Sequence, residues 1–297
     1  MLVEDWRPKL YCKDVECQNL TPNKQVLFIE EGHKYYHADD IVGGQLKPFE
    51  DSKYMFRSPT GIIGDMHEHF DTIPQAKKYV KKHKLPITWE QLVYAWEFLG
   101  DFASDQGTVL HGYGEALFNK WPMPAPDLQK QPYVHDLYME LTDRYKLAKT
   151  ELLVYSTKLR IAGQVDLLMK SKDGSEYHIL DWKFLNAPIE KKSFFNWGTR
   201  KFKMMYGPFN KLMDCNFYHY SVQMEIYRYL MGAAGKKVKS KTLMVVTSDG
   251  YELVPGHPMK IWVSEDGILH ARYRHYKNKL YDSSKDMDYL ENGYKII

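Results

Sequence analysis

Apolar and polar residues change their spacing several times along the chain, and each change marks an element. From Thr88, "TWEQLVYAWEFLGDFASDQGTVLHGYGEALFNKW" repeats apolar positions at helical spacing behind a threonine N-cap, with Glu90 in the first turn; Gly100 and Gly107 are expected to break or bend this helix. A proline-rich linker, "PMPAPDLQKQP", leads into a second amphipathic helix, "YVHDLYMELTDRYKLAK". The period then falls to two. "ELLVYSTKLRIAGQVDLLMK" and "EYHILDWKFL" read as three strands, "FYHYSVQMEIYRYLMGAAG" returns to helical spacing, and "KTLMVVTSDGYELV" gives one more hairpin. The order helix, three strands, helix, two strands predicts an α/β fold around a small central mixed β-sheet flanked by helices. Ser264 to Tyr281 is expected to close it as a helix.

The first 88 residues follow a less regular pattern. "VLFIEEGHKYYHADDIV" alternates as a short hairpin does, "KYMFRSPTGII" is a strand or turn interrupted by Pro and Gly, and "PQAKKYVKKHKL" is a short basic helix. The division expected is an N-terminal accessory region, 1–88, and a core domain, 89–297.

Composition narrows the classes. With 297 residues and 44% hydrophobic content the chain can bury a real core. No window approaches the ~18–20 apolar residues of a membrane span, and "MLVEDWRPKL" is charged and lacks the apolar stretch of a signal peptide, so an intracellular, cytoplasmic protein with no membrane partner is expected. Three cysteines, Cys12, Cys17 and Cys215, cannot build a four-thiolate metal site and are expected as free thiols. A net charge of +3 does not decide for or against nucleic acid, because its distribution matters more than its sum.

Candidate chemistry lies in "GQVDLLMKSKDGSEYHILDWKF", residues 163 to 184. If Asp173-Gly174 is a two-residue hairpin turn, Asp166 and Asp181 stand opposite each other on one face, ~4.5–5.5 Å apart at Cβ. Two carboxylates so placed repel unless a cation sits between them. Lys183 follows Asp181 by two and shares that face, while Val165, Leu167, Leu180 and Trp182 point the other way into the core. The alternative is a solvated face on which the lysine partly neutralises two acids. His111 and Glu115, four apart on the long helix, share a face and add an imidazole and a carboxylate suited to a divalent metal. Gly107, Gly112 and Gly114 around them suggest close packing or a bend, and Glu151 is a candidate outer carboxylate at the opening of a strand.

In order, "GTVLHGYGE", "GQVD", "LDWK" and "QMEIY" resemble the PD-(D/E)XK nuclease superfamily, in its RecB-like and phage-exonuclease branch, over roughly residues 89 to 250. The resemblance implies a restriction-endonuclease-like core, Mg²⁺ or Mn²⁺ as cofactor, and DNA ends as substrate. His111, Asp166 and Asp181 would then be metal ligands with the main-chain carbonyl of Trp182, and Lys183 would position or deprotonate the attacking water. Branches of the family differ in whether the helix donates its His, its Glu or both, so the role of Glu115 stays open. Gln223 and Tyr227 match the QxxxY helix motif, and Ser58 and Thr60 in "RSPT" resemble a short Ser-x-Thr element of viral and phage relatives. The four-cysteine iron–sulfur cluster of several RecB-like exonucleases is not expected here. Homo-oligomers, monomers and recombination or replication partner proteins all fit the resemblance.

Between the acidic hairpin and the QxxxY helix, residues 191–211 hold six basic and six aromatic side chains and no acid. Such a stretch suits phosphate neutralisation and base stacking, which makes Arg200, Lys201 and Lys203 candidate DNA contacts; the alternative is a basic surface loop anchored by buried aromatics. The expectation is a metal-dependent DNA exonuclease of recombination, repair or viral genome processing. A structure-specific endonuclease or nickase, or a catalytically inactive nucleic-acid-binding protein of the same fold, remain as alternatives.

Overall fold

The computed structural model describes residues 26–29, 34–42, 45–48, 51, 56–122, 130–275, 277–291 and 293–296. Cys12, Cys17 and most of the proline-rich linker lie outside them. In chain order the elements begin with β1 (Val26–Ile29), β2 (Lys34–His37), β3 (Ile41–Val42) and β4 (Gln45–Leu46). Four helices follow, α1 (Pro59–Gly64), α2 (Thr72–His83), α3 (Trp89–Asn119) and α4 (Gln131–Arg144). Then come β5 (Tyr145–Ser156), β6 (Ile161–Ser171), β7 (Tyr177–Phe184), the short β8 (Phe195–Asn196) and β9 (Lys201–Phe202), and α5 (Asn216–Ala233). The chain closes with β10 (Val238–Val246), β11 (Tyr251–Pro255), β12 (Met259–Val263), β13 (Leu269–Arg274), β14 (Leu280–Asp282) and α6 (Met287–Glu291).

The central sheet has five strands in the order β11-β10-β7-β6-β5. It is mixed: β10 runs parallel to β7 and the remaining neighbours are antiparallel. The parallel step is made by α5, which carries the chain from the end of β7 back to the start of β10. One face packs Leu167, Met169, Leu180, Trp182, Met244 and Val246 against α3 and α4. The other packs Leu168, Ile179, Leu243 and Val245 against α5, where Val222, Met224, Ile226 and Met231 are buried. That second cluster also holds Tyr35, Phe56, Ile62, Ile63 and Met66, so residues on both sides of the expected boundary at 88 share one core.

Several elements differ from expectation. The long helix runs unbroken through Gly100 and Gly107, where a side chain would meet open space; a capping box at Thr88 and Gln91 starts it, and packing of α2 along its first half supports it. The helix expected over "YVHDLYMELTDRYKLAK" stops at Arg144, and Tyr145 already belongs to β5. The region from Ser264 to Tyr281 is a turn and two strands, not a helix: Leu269, Ala271 and Tyr273 are buried while Arg272 and Arg274 are exposed, a period of two, and Gly267 makes the preceding turn at φ 82°.

The hairpin register is the expected one. Leu167 pairs with Leu180, Leu168 with Ile179, Met169 with His178 and Lys170 with Tyr177. Its turn is longer than two residues, because Ser171 N–H already bonds Glu176 O, which leaves Lys172 to Ser175 as the loop. Asp173 organises that loop by accepting from Ser171 Oγ at 2.6 Å and Ser175 N at 3.0 Å, and Gly174 takes φ 77°.

Candidate metal centre

The pairing of β6 with β7 stops at Leu167 and Leu180, one step short of the two aspartates. Asp166 therefore does not complete a ladder rung with Asp181. Its carboxylate Oδ2 instead accepts from the Trp182 main-chain N–H at 2.8 Å, filling the gap where the strands part. The contact seen at Trp182 is thus through its N–H, whereas its carbonyl is the group expected at the metal.

Helix α3 lies over this gap. It comes close because Gly114 has no side chain: a Cβ there would sit 3.0 Å from the Trp182 ring. His111, one turn earlier, then places Nε2 3.9 Å from Asp166 Oδ2 and Nδ1 4.0 Å from Glu151 Oε1. One ligand atom each from His111, Glu151 and Asp166 all lie within 4.8 Å of one another.

Glu151 is not at a strand opening but in the middle of β5, flanked by the pairs Thr150–Leu167 and Leu152–Val165, which set it opposite Asp166. Its φ is 45°, in the left-handed region that an L-residue enters at a cost of about 1–2 kcal/mol. The strand's register shifts earlier, between Leu147 and Lys149, and is kept on either side of Glu151, whose carboxylate lies 4.0 Å from His111. Such strain held in mid-strand is characteristic of functional sites.

Asp181 and Lys183 form an ion pair beside this group, with Asp181 only 1% and Lys183 15% exposed in the side chain. A solvated hairpin face is excluded by that burial. Asp181 Oδ1 has no hydrogen-bond partner among the described residues, so a buried carboxylate oxygen is left for a further cation. Lys183 Nζ also lies 4.6 Å from the Tyr220 ring centroid.

Glu115 is buried and is not one of the three clustered groups. Its Oε1 accepts from Thr150 Oγ1 at 3.3 Å, next to Glu151 in β5. Gln223 Nε2 donates to Tyr227 OH at 3.1 Å, and Tyr227 is buried against β6. A Cβ on Gly163 would meet Tyr227 at 2.8 Å and Pro59 at 2.9 Å, so "GQVD", "QMEIY" and "RSPT" converge at one point. Ser58 caps α1 by accepting from Gly61 N at 3.0 Å and lies 2.9 Å from Thr60 Oγ1. Tyr35 and Tyr220 are near the centre without a signal in the sequence; burial and the charges of Glu151 and Asp166 push the Tyr35 phenol up.

Electrostatics follow from burial. Asp166 is raised by desolvation, against the pull of Lys183 and the Trp182 N–H. Asp181 is pushed up to about 6 by desolvation, with Lys183 opposing and Asp166 adding to it. Desolvation works to lower Lys183, but Asp181 and Asp166 outweigh it and raise the ammonium above its usual value. Burial and the Lys183 charge bring His111 down to about 4, leaving a neutral imidazole at pH 7 that is free to ligate.

The chain matches no protein-family model and no curated protein.

The donor set fits a divalent ion. Two carboxylates and a neutral imidazole converge, a third carboxylate has an orphaned oxygen, and an ammonium balances the excess negative charge. Oxygen ligands suit Mg²⁺ or Mn²⁺, and the imidazole tilts the preference toward Mn²⁺.

Of the basic candidates, Arg200 and Lys201 are exposed at the β8–β9 hairpin, whose tip carries Trp197, 81% exposed. Lys203 is different. It is held by Asp214 Oδ2 at 3.0 Å and Glu68 Oε2 at 3.5 Å, so it anchors the hairpin base and is not a free phosphate contact.

Proposed function

We propose that the protein is a divalent-metal-dependent DNA nuclease, acting as an exonuclease on DNA ends. The observation that carries this reading is the convergence of His111, Glu151 and Asp166 where β6 and β7 part, beside the buried Asp181–Lys183 pair. A bound Mg²⁺ or Mn²⁺ would supply Lewis-acid activation of water and charge stabilisation at phosphate.

The chain's own residues do the rest. Asp166 and Glu151, on adjacent strands, and His111, on α3, would hold the ion. The Trp182 N–H fixes the Asp166 carboxylate. Lys183, held by Asp181, either stabilises negative charge developing on the phosphate oxygens or takes a proton from the incoming water, the bound cation lowering its pKa toward the second role. Arg200, Lys201 and the exposed ring of Trp197 offer phosphate neutralisation and base stacking at about 1–3 kcal/mol per stacked base.

The test is cleavage of end-labelled linear DNA against closed circles, with Mg²⁺, with Mn²⁺ and with chelator. Metal-dependent loss of linear DNA alone supports the exonuclease. Cutting of circles replaces it with an endonuclease, and binding without cleavage in either metal removes the enzymatic reading.

A further inference from the structure

A second constellation of metal-ligating side chains lies outside the centre described above and shares no residue with it. His67 follows α1, Asp214 precedes α5, and His219 is in the first turn of α5. One ligand atom from each falls within 4.8 Å of the others. The two imidazole rings stack with centroids 4.6 Å apart and planes 22° apart. Asp214 Oδ1 lies 2.8 Å from His219 Nε2, while Lys203 holds the other oxygen at 3.0 Å.

That division of labour within Asp214 matters. The carboxylate is 5% exposed in its side chain, and one oxygen is oriented by a lysine while the other faces the imidazoles. A ligating carboxylate fixed through its second oxygen is the arrangement that outer partners give to metal ligands. His69 stands beside His67 on the exposed side, ring centroids 5.9 Å apart, and is not one of the three clustered groups.

We propose that His67, Asp214 and His219 form a transition-metal site, with Zn²⁺ as the ion its two imidazoles and one carboxylate fit best. Imidazole-rich donor sets select Zn²⁺ and its neighbours over Mg²⁺ or Ca²⁺, which prefer all-oxygen ligands. The site ties together three segments remote in sequence: the turn after α1, the start of α5 and, through Lys203, the base of the β8–β9 hairpin. Its role is to fix that hairpin to the core. The inference stands apart from the nuclease reading, since neither metal binding nor its measurement requires DNA cleavage.

The test is metal stoichiometry on full-length protein stripped with chelator, in the wild type and in His111→Ala, each with and without His67→Asn. Co²⁺ is the probe for visible d–d absorption, and Zn²⁺ is followed by displacement of a chromophoric chelator and by melting temperature. The expected result is that His67→Asn removes one equivalent of metal in both backgrounds, together with the Zn²⁺-induced rise in melting temperature in His111→Ala. His219→Gln should do the same, but it also removes a hydrogen bond at the start of α5; His67 lies in a turn and is the cleaner variant, with circular dichroism as the check on folding. An unchanged stoichiometry on His67→Asn, or no Co²⁺ bound by His111→Ala, overturns the proposal.

Discussion

Glu151 offers a perturbation in which stability and activity should move in opposite directions. Two variants are compared, Glu151→Gly and Glu151→Ala. Both remove the carboxylate that faces Asp166, so relief of like-charge repulsion is common to them. They differ in the backbone. At φ 45° alanine still bears the left-handed penalty and glycine does not. That penalty is about 1–2 kcal/mol, against which glycine loses about 0.5–1 kcal/mol of extra chain entropy on folding, so the glycine variant should be the more stable by about 0.5–1 kcal/mol. The assay is urea unfolding at neutral pH in chelator, read from the midpoint at constant slope. Repeating it with Mg²⁺ adds the functional arm: a ligand at 100 times its Kd stabilises the wild type by about 2.7 kcal/mol, and both variants should lose most of that gain along with DNA cleavage. An alanine variant as stable as the glycine variant would refute the strain argument. Full Mg²⁺ stabilisation in both would refute the role of Glu151 as a ligand.

Glu225, fully buried on α5, is bonded by Arg228 at 2.8 and 2.5 Å and by Lys241; Glu225→Gln leaves two cations without their partner and should cost about 3–5 kcal/mol in urea unfolding, with cleavage per folded molecule unchanged. Gly163→Ala drives a methyl into Tyr227 and Pro59 and should cost about 1–3 kcal/mol; a neutral effect would contradict the packing of α5 and α1 on β6. Asp181 is pushed up to about 6 in the folded protein, against about 3.9 unfolded, so the folded state binds more protons between those values. Asp181 accordingly contributes a fall in metal-free stability as pH rises from about 4 to about 6, while His111, brought down to about 4, contributes a rise over about 4 to 6.5; the urea midpoint of the wild type relative to Asp181→Asn isolates the first contribution and should fall through that window. Replacing Arg200 and Lys201 by Gln should weaken DNA binding and reduce the slope of log Kd against log salt by about 0.7–0.9 for each phosphate that is no longer neutralised, with an unchanged slope excluding the hairpin from the interface.

The sheet is largely legible because its strands alternate cleanly and Asp173-Gly174 marks a turn. Although the loop has four residues, its centre is where a two-residue turn would put it, so Leu167–Leu180 and the pairs beyond keep their register. What alternation does not show is where the ladder ends. The parting of β6 and β7 depends on the Asp166 carboxylate replacing a ladder bond to Trp182, a tertiary event with no local pattern. Glu151 reads as an outer carboxylate for a related reason: period-two reasoning assumes extended backbone, and φ 45° in mid-strand defeats it. The opposite holds in α3, where glycines weigh against a helix locally but a capping box and the Gly114–Trp182 contact override them. Lys203 reads as a free cation in a basic run, and only the fold brings Asp214 and Glu68 to it.

The measurement that bears most directly on the central claim is hydrolysis of end-labelled DNA in Mn²⁺ by the wild type, Asp166→Asn and Lys183→Met, each first shown to be folded. The account predicts cleavage by the wild type that chelator abolishes, and a loss of at least about 10²-fold in each variant, the scale of removing one group that stabilises transition-state charge. Cleavage by Asp166→Asn at the wild-type rate would contradict it.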